Sequence, residues 1–72
     1  MNIQIGDTFD TPRTILTITG ITNNIYVYKC KYKIDGRVAY TSAMKSQFEE
    51  LYKKYKWTHT SINILPEELF TI

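Results

Sequence analysis

From Tyr26 to Lys33 the chain alternates two chemistries. Tyr26, Tyr28, Cys30 and Tyr32 hold the even positions, and Lys29, Lys31 and Lys33 hold the odd positions after Val27. Successive side chains of an extended strand point to opposite faces, so rings and thiol collect on one side and ammonium groups on the other. Ammonium groups at ~6.6 Å spacing, with Arg37 just past the following turn, could track a phosphate backbone or meet an acidic protein surface. The same basic face (Lys29, Lys31, Lys33, Arg37) reads equally as a solvated exterior whose lysines discourage edge-to-edge aggregation. A stacking platform for single-stranded nucleic acid needs rings and cations on one surface. Strict alternation separates them.

Other reactive side chains are few. One histidine, His59, and one cysteine, Cys30, cannot supply the four ligands of a structural zinc site, so no metal and no cofactor is expected. Cys30 lies between two tyrosines on the face expected to be buried, where a thiol serves as a small apolar group. His59 with Ser42 or Ser61 would need a geometry that spacing does not give. Glu49 and Glu50 are adjacent on a predicted helix and diverge by about 100°, and Glu67 and Glu68 are explained by helix polarity. The chain has no Walker loop, no G-x-S-x-G and no G-x-G-x-x-G. The sequence therefore predicts a protein that is not an enzyme.

Six tyrosines, one tryptophan and three phenylalanines in 72 residues exceed what so small a core can hide. Some rings must stay partly exposed, and Tyr and Trp dominate binding hot spots. The cluster Tyr52, Tyr55, Trp57 and His59, at the end of the predicted helix, is the expected partner-binding surface. Partly exposed core rings would account for these residues equally well.

The elements that must position these residues form one small core. Asn2 to Phe9 reads as a weak first strand or bent edge segment, and Asp10-Thr11-Pro12 as a turn. Arg13 to Ile21 is a strand rich in Ile and Thr, with Gly20 marking a bulge or close backbone approach. Ile25 to Lys33 and Val38 to Thr41 complete a three-strand meander. Three-residue loops at Thr22-Asn23-Asn24 and Ile34-Asp35-Gly36, with Asn24 and Gly36 left-handed, set Ile18 against Tyr28, Leu16 against Cys30, Tyr32 against Val38 and Cys30 against Tyr40. That register puts Val38 and Tyr40 on the core face.

An amphipathic helix follows over residues 42–56. Ser42 is its expected N-cap, Ser46 with Glu49 offers a later capping box, and Met44, Phe48, Leu51, Tyr52 and Tyr55 form its apolar stripe. Trp57 to Ile64 reads as a fifth strand, and Pro66-Glu67-Glu68 opens a short helical turn. The predicted class is α+β, a twisted antiparallel meander covered by one helix and closing as a small barrel in one version. A chain of this length implies a single domain spanning 1–72.

The net charge of +2 and pI of about 8.7 permit an acidic partner without demanding one. No apolar run reaches the ~18 residues that span a membrane. The first six residues lack the basic and apolar regions of a signal peptide, so a cytoplasmic location is expected. The Ile-rich ends (Ile3, Ile5, Ile62, Ile64, Ile72) make a homodimer a further expectation, since a small domain gains core by pairing.

The order of these elements resembles that of SH3-like small barrels: Gly6-Asp7-Thr8-Phe9 entering, a long twisted hairpin, an Asp35-Gly36 turn, and a helix leading to a last strand. The stretch Ile15 to Tyr40 is similar to short Lys-, Ile-, Asn- and Tyr-rich proteins encoded by phages and mobile elements of low-GC Gram-positive bacteria. The predicted helix is longer than the single 3-10 turn usual in such barrels. The resemblance implies a protein-binding inhibitor of a host or defence protein. The residues leave two other functions open: a nucleic-acid-binding barrel using the lysine face, and an oligomer that sequesters a nucleotide.

Overall fold

The computed structural model describes residues 3–61. It contains β1 (Thr8–Asp10), β2 (Thr14–Ile21), β3 (Ile25–Tyr32), β4 (Val38–Met44), α1 (Lys45–Tyr55) and β5 (Thr58–Thr60). The five strands form one antiparallel sheet in the order β4-β3-β2-β1-β5. Among the described residues β4 pairs only with β3 and β5 only with β1, so the sheet is open. The α+β class holds. Among the described residues, only Thr8 and Phe9 of the predicted first strand lie in a strand, β1, which runs on through Asp10 of the expected turn, and the predicted fifth strand is represented by β5. Ile62, Ile64, Ile72 and the Pro66-Glu67-Glu68 turn lie outside the described residues.

Of the even-numbered rings of β3, Tyr26 and Tyr28 face inward, whereas Tyr32, expected on the same buried face, is exposed at the strand's end, outside the core. Phe9, Leu16, Ile18, Tyr26 and Phe48 form the buried core with Ile3, and Tyr28, Cys30, Ala43, Tyr52 and Trp57 pack against it. The register of β2 against β3 is the expected one: Ile18 opposes Tyr28 and Leu16 opposes Cys30. The route to it differs. Thr22 N–H donates to the Ile25 carbonyl at 2.9 Å, leaving two loop residues, and the missing residue enters as a bulge between Ile18 and Gly20. Asn24 is not left-handed. A Cβ added at Gly20 would meet Val27 Cβ at 3.4 Å, an ordinary contact, so of the two readings of this glycine the bulge is the one the structure bears out.

The second turn overturns a prediction. The Tyr32 N–H donates to the Arg37 carbonyl and the Gly36 N–H to the Tyr32 carbonyl, both at 2.8 Å. The loop therefore has four residues, Lys33 to Gly36, with Gly36 left-handed at φ 75°. An even loop shifts the ladder by one residue. Tyr40 now opposes Lys29, Val38 opposes Lys31, and Ala39, Thr41 and Ala43 oppose Cys30, Tyr28 and Tyr26. A slip of one residue moves a whole strand to the other face. The helix supplies the reason. With only Ala and Thr beneath it on β4, α1 can settle until the Phe48 ring lies 5.3 Å from both Tyr26 and Tyr28.

The helix also starts later than residue 42. Ser42, Ala43 and Met44 continue β4, and Met44 occupies the N-cap position with no side-chain cap. Neither Ser42 nor Ser46 caps it. Lys45 N–H instead donates to the Asn24 carbonyl at 2.8 Å, so the tip of the β2–β3 hairpin fixes where strand becomes helix. Of the predicted stripe, Phe48 is buried and Tyr52 half-buried, whereas Met44, Leu51 and Tyr55 are exposed.

Candidate functional site

The outer face of the sheet is organised in lateral rows. One runs Thr60, Thr8, Thr17, Lys29, Tyr40, and its neighbour runs Thr58, Asp10, Ile15, Lys31, Val38, each residue paired with the next across adjacent strands. Threonines dominate the β5 side; a ring, two aliphatic side chains and two ammonium groups dominate the β4 side. Tyr40 is 70% exposed, and Val38 and Ile15 are also exposed. Non-local register brings this ring to the lysines, and no local spacing rule reports it.

The four predicted basic residues divide into two pairs. Lys33 Nζ contacts Asp10 Oδ1 at 2.5 Å, and Arg37 Nε contacts Asp35 Oδ2 at 2.7 Å. Asp35 also accepts the Arg37 backbone N–H at 3.0 Å, and the Arg37 guanidinium sits 5.9 Å over the Tyr32 ring. Lys29 and Lys31 have no ion-pair partner among the described residues. They are the cations available to a ligand.

The cluster at the helix end does assemble, with most of it turned toward the core. Tyr52 packs edge-on against Phe9 at 5.5 Å, Trp57 against Phe48 at 5.7 Å, and His59 stacks on Phe9 at 4.6 Å. Tyr55 is the ring left in solvent, with Lys54 Nζ 5.4 Å over it. His59 Nε2 lies 2.8 Å from Oδ2 of the fully buried Asp7, a partnership that sequence reasoning missed because 52 positions separate the two.

Two tyrosine hydroxyls are held in the protonated form. Burial and the Glu49 carboxylate, which accepts the Tyr26 hydroxyl at 3.0 Å, push Tyr26 up to about 12. Burial, with a smaller contribution from Cys30, raises Tyr28. A hydroxyl kept protonated beside a carboxylate stabilises packing; it offers no base.

A groove of about 640 Å³ opens at the far end of β2 and β3, lined by Pro12, Arg13, Thr14, Tyr32, Lys33 and Ile34. Its walls are mainly apolar, with Arg13 and Lys33 supplying charge. Among the described residues no group of three or more His, Cys, Asp or Glu is placed to hold a metal ion, and no helix is long and apolar enough to cross a membrane. No protein-family model, no curated protein and no solved structure matches the chain.

Proposed function

We propose that this chain is a non-enzymatic binding module whose working surface is the β3–β4 side of the outer sheet face. The observation that carries the reading is Tyr40, exposed and directly opposite Lys29, beside Val38 opposite Lys31. An exposed ring with apolar neighbours and flanking cations has the makeup of a hot spot for a protein with an acidic patch. Tyr55, exposed at the helix end, offers a smaller second contact surface. The likeness to SH3-like barrels and to short phage proteins supports a cytoplasmic inhibitor of a host or defence protein.

The second reading is a nucleic-acid-binding module built on the open sheet, favoured by the same meeting of ring and lysines on one face. Magnitudes place it second. Two free lysines neutralise about two phosphates, which gives a log–log salt slope of roughly −1.4 to −1.8 and only about tenfold loss between 50 and 200 mM salt. One stacking ring adds about 1–3 kcal/mol. A protein hot spot centred on a tyrosine contributes at least ~2 kcal/mol without needing further cations.

The test is capture from host lysate, with and without nuclease, by the wild-type chain and by Tyr40→Ala, Lys29→Glu/Lys31→Glu and Tyr55→Ala variants. A nuclease-resistant partner that Tyr40→Ala releases, with affinity reduced about 30-fold or more, supports the first reading. Capture that disappears with nuclease supports the second. Capture indifferent to Tyr40, Lys29 and Lys31 overturns both for this face, and dependence on Tyr55 alone moves the site to the helix end.

A further inference from the structure

We infer that β4 is a self-pairing edge, and that two copies of this chain join along it into one continuous ten-stranded antiparallel sheet. β4 is the outermost strand and spans seven residues, Val38–Met44. Every second residue of an edge strand turns its N–H and C=O away from the sheet, and proteins normally blunt such a row with lysine, proline, a bulge or a covering element. Among the described residues β4 has no lysine, proline or bulge, and only its Ala43 end lies beside α1. Its sequence VAYTSAM contains no charge and no proline, its pairing with β3 runs from Ile25–Met44 to Lys31–Val38 without a register shift, and six of its seven residues are exposed.

The chemistry of the strand favours a second copy as its occupant. Full-length antiparallel pairing of seven residues with themselves centres on the fourth, Thr41. Val38 then faces Met44 of the second copy, Tyr40 faces Ser42, and Ala39 faces Ala43. Apolar meets apolar at both ends, and no charge lies in the seam. The lysines stand one strand back, so Lys29 of one copy is about three strand spacings, ~14 Å, from Lys29 of the other, beyond the ~8–10 Å screening length.

The inner face is complementary in the same register. Ala43 is half-buried beside α1, in a groove of about 410 Å³ with Gln47, Glu50 and Leu51, whereas Ala39 is bare. The two-fold brings the covered end of each strand against the bare end of the other. Leu51, 40% exposed in the single chain, gains Ala39 of the second copy as an apolar neighbour. This seam is separate from the isoleucine-rich ends, of which Ile3 is buried in the core and Ile5 is exposed. It also sets the two Tyr40 rings on one surface, one to either side of the axis.

Sedimentation equilibrium and a cysteine scan test the register. The wild-type chain is expected to be dimeric at tens of micromolar. Thr41→Lys sets like charges opposite each other at the axis and should weaken the dimer at least tenfold while leaving the circular dichroism spectrum unchanged. In a Cys30→Ala background, Thr41→Cys should cross-link with itself on mild oxidation. Ala39→Cys should not, because its own copy lies about four residues, ~14 Å, away along the seam. A monomer at millimolar concentration, a dimer untouched by Thr41→Lys, or preferential cross-linking through Ala39→Cys would each overturn the proposal, as would an edge occupied only by a foreign strand.

Discussion

His59 Nε2 reaches Asp7 Oδ2 at 2.8 Å, and that same oxygen accepts the Gln4 backbone N–H at 3.0 Å. A carboxylate at the bottom of a fully buried site thus ties β5 to the turn that precedes β1. The turn is in turn fixed to β2, since Gly6 N–H donates to the Ile18 carbonyl at 2.8 Å and Ile18 N–H donates to the Asp7 carbonyl at 2.9 Å. Burial of a polar group is tolerable only while its partners remain.

Replacing His59 with Ala should therefore cost about 3 kcal/mol, because it removes one of the partners of a buried carboxylate together with the ring stacked on Phe9. For a domain of this size such a loss is a large share of total stability. Urea denaturation of His59→Ala, Asp7→Leu and the double replacement Asp7→Leu/His59→Ala measures the coupling. The double change should cost less than the two single changes combined. Additive costs would show that the pair does not act as a unit.

Tyr26 gives a dependence on alkaline pH. Its hydroxyl donates to Glu49, and burial together with that carboxylate raises it to about 12. In the unfolded chain it titrates near 10. Between these values the native state holds a proton that the unfolded state has released, so stability falls as pH rises from about 10 to about 12. Below 10 the contribution is fully present. The loss amounts to about 2–3 kcal/mol. Thermal melts from pH 8 to 12 should show a steep decline in the wild-type chain and a shallower one in Tyr26→Phe. Parallel declines would mean that Tyr26 does not control the alkaline limb.

Tyrosine parity in β3 was legible because one face had to be buried, and a period of two offers only one way to do it. Parity in β4 was not. Val38, Ala39, Tyr40 and Thr41 contain an apolar side chain on either face, so hydrophobicity alone pointed to the larger pair, Val38 and Tyr40, as core. Room for α1 reversed that choice, and the space a helix needs does not show in the strand's own residues. The candidate site inherits the same limit. Its lysines were readable from local alternation, but the ring beside them arrives through a loop whose length differs by one residue from the one expected. Tyr52, Trp57 and His59 read as a contact surface at the helix end, yet long-range contacts to Phe9, Phe48 and Asp7 draw them inward.

The register makes Tyr40 dispensable for folding. Tyr40→Ala removes an exposed ring and should change stability by less than ~0.5 kcal/mol in monomer at low concentration. Phe48→Ala, by contrast, empties the point where Phe9, Tyr26, Tyr28 and Trp57 converge on one ring. It should cost about 3–5 kcal/mol. Chemical denaturation of both variants checks the pairing. A Tyr40→Ala loss comparable with that of Phe48→Ala would restore Tyr40 to the core face and remove the proposed contact surface.

The end of α1 holds a correctable strain. Lys56 adopts a left-handed conformation at φ 52°, the only non-glycine residue with positive φ among those described. Its N–H donates to the Tyr52 carbonyl, which also accepts the Trp57 N–H at 3.2 Å. The conformation is needed to turn the chain from helix into β5, and a Cβ there costs roughly 1–2 kcal/mol. Glycine removes that cost while losing part of it again to greater freedom of the unfolded chain. The lost positive charge matters little, since Lys53 and Lys54 remain in the last turn. Lys56→Gly should raise stability by about 0.5–1 kcal/mol, or roughly 2–8 °C in melting temperature for a domain this small. Gly36→Ala is the mirror case: its φ of 75° lies in open space, with no atom within 4 Å of an added Cβ, so any loss reports backbone conformation alone. If Lys56→Gly melts no higher than wild type while Gly36→Ala melts lower, the helix end does not carry the strain assigned to it.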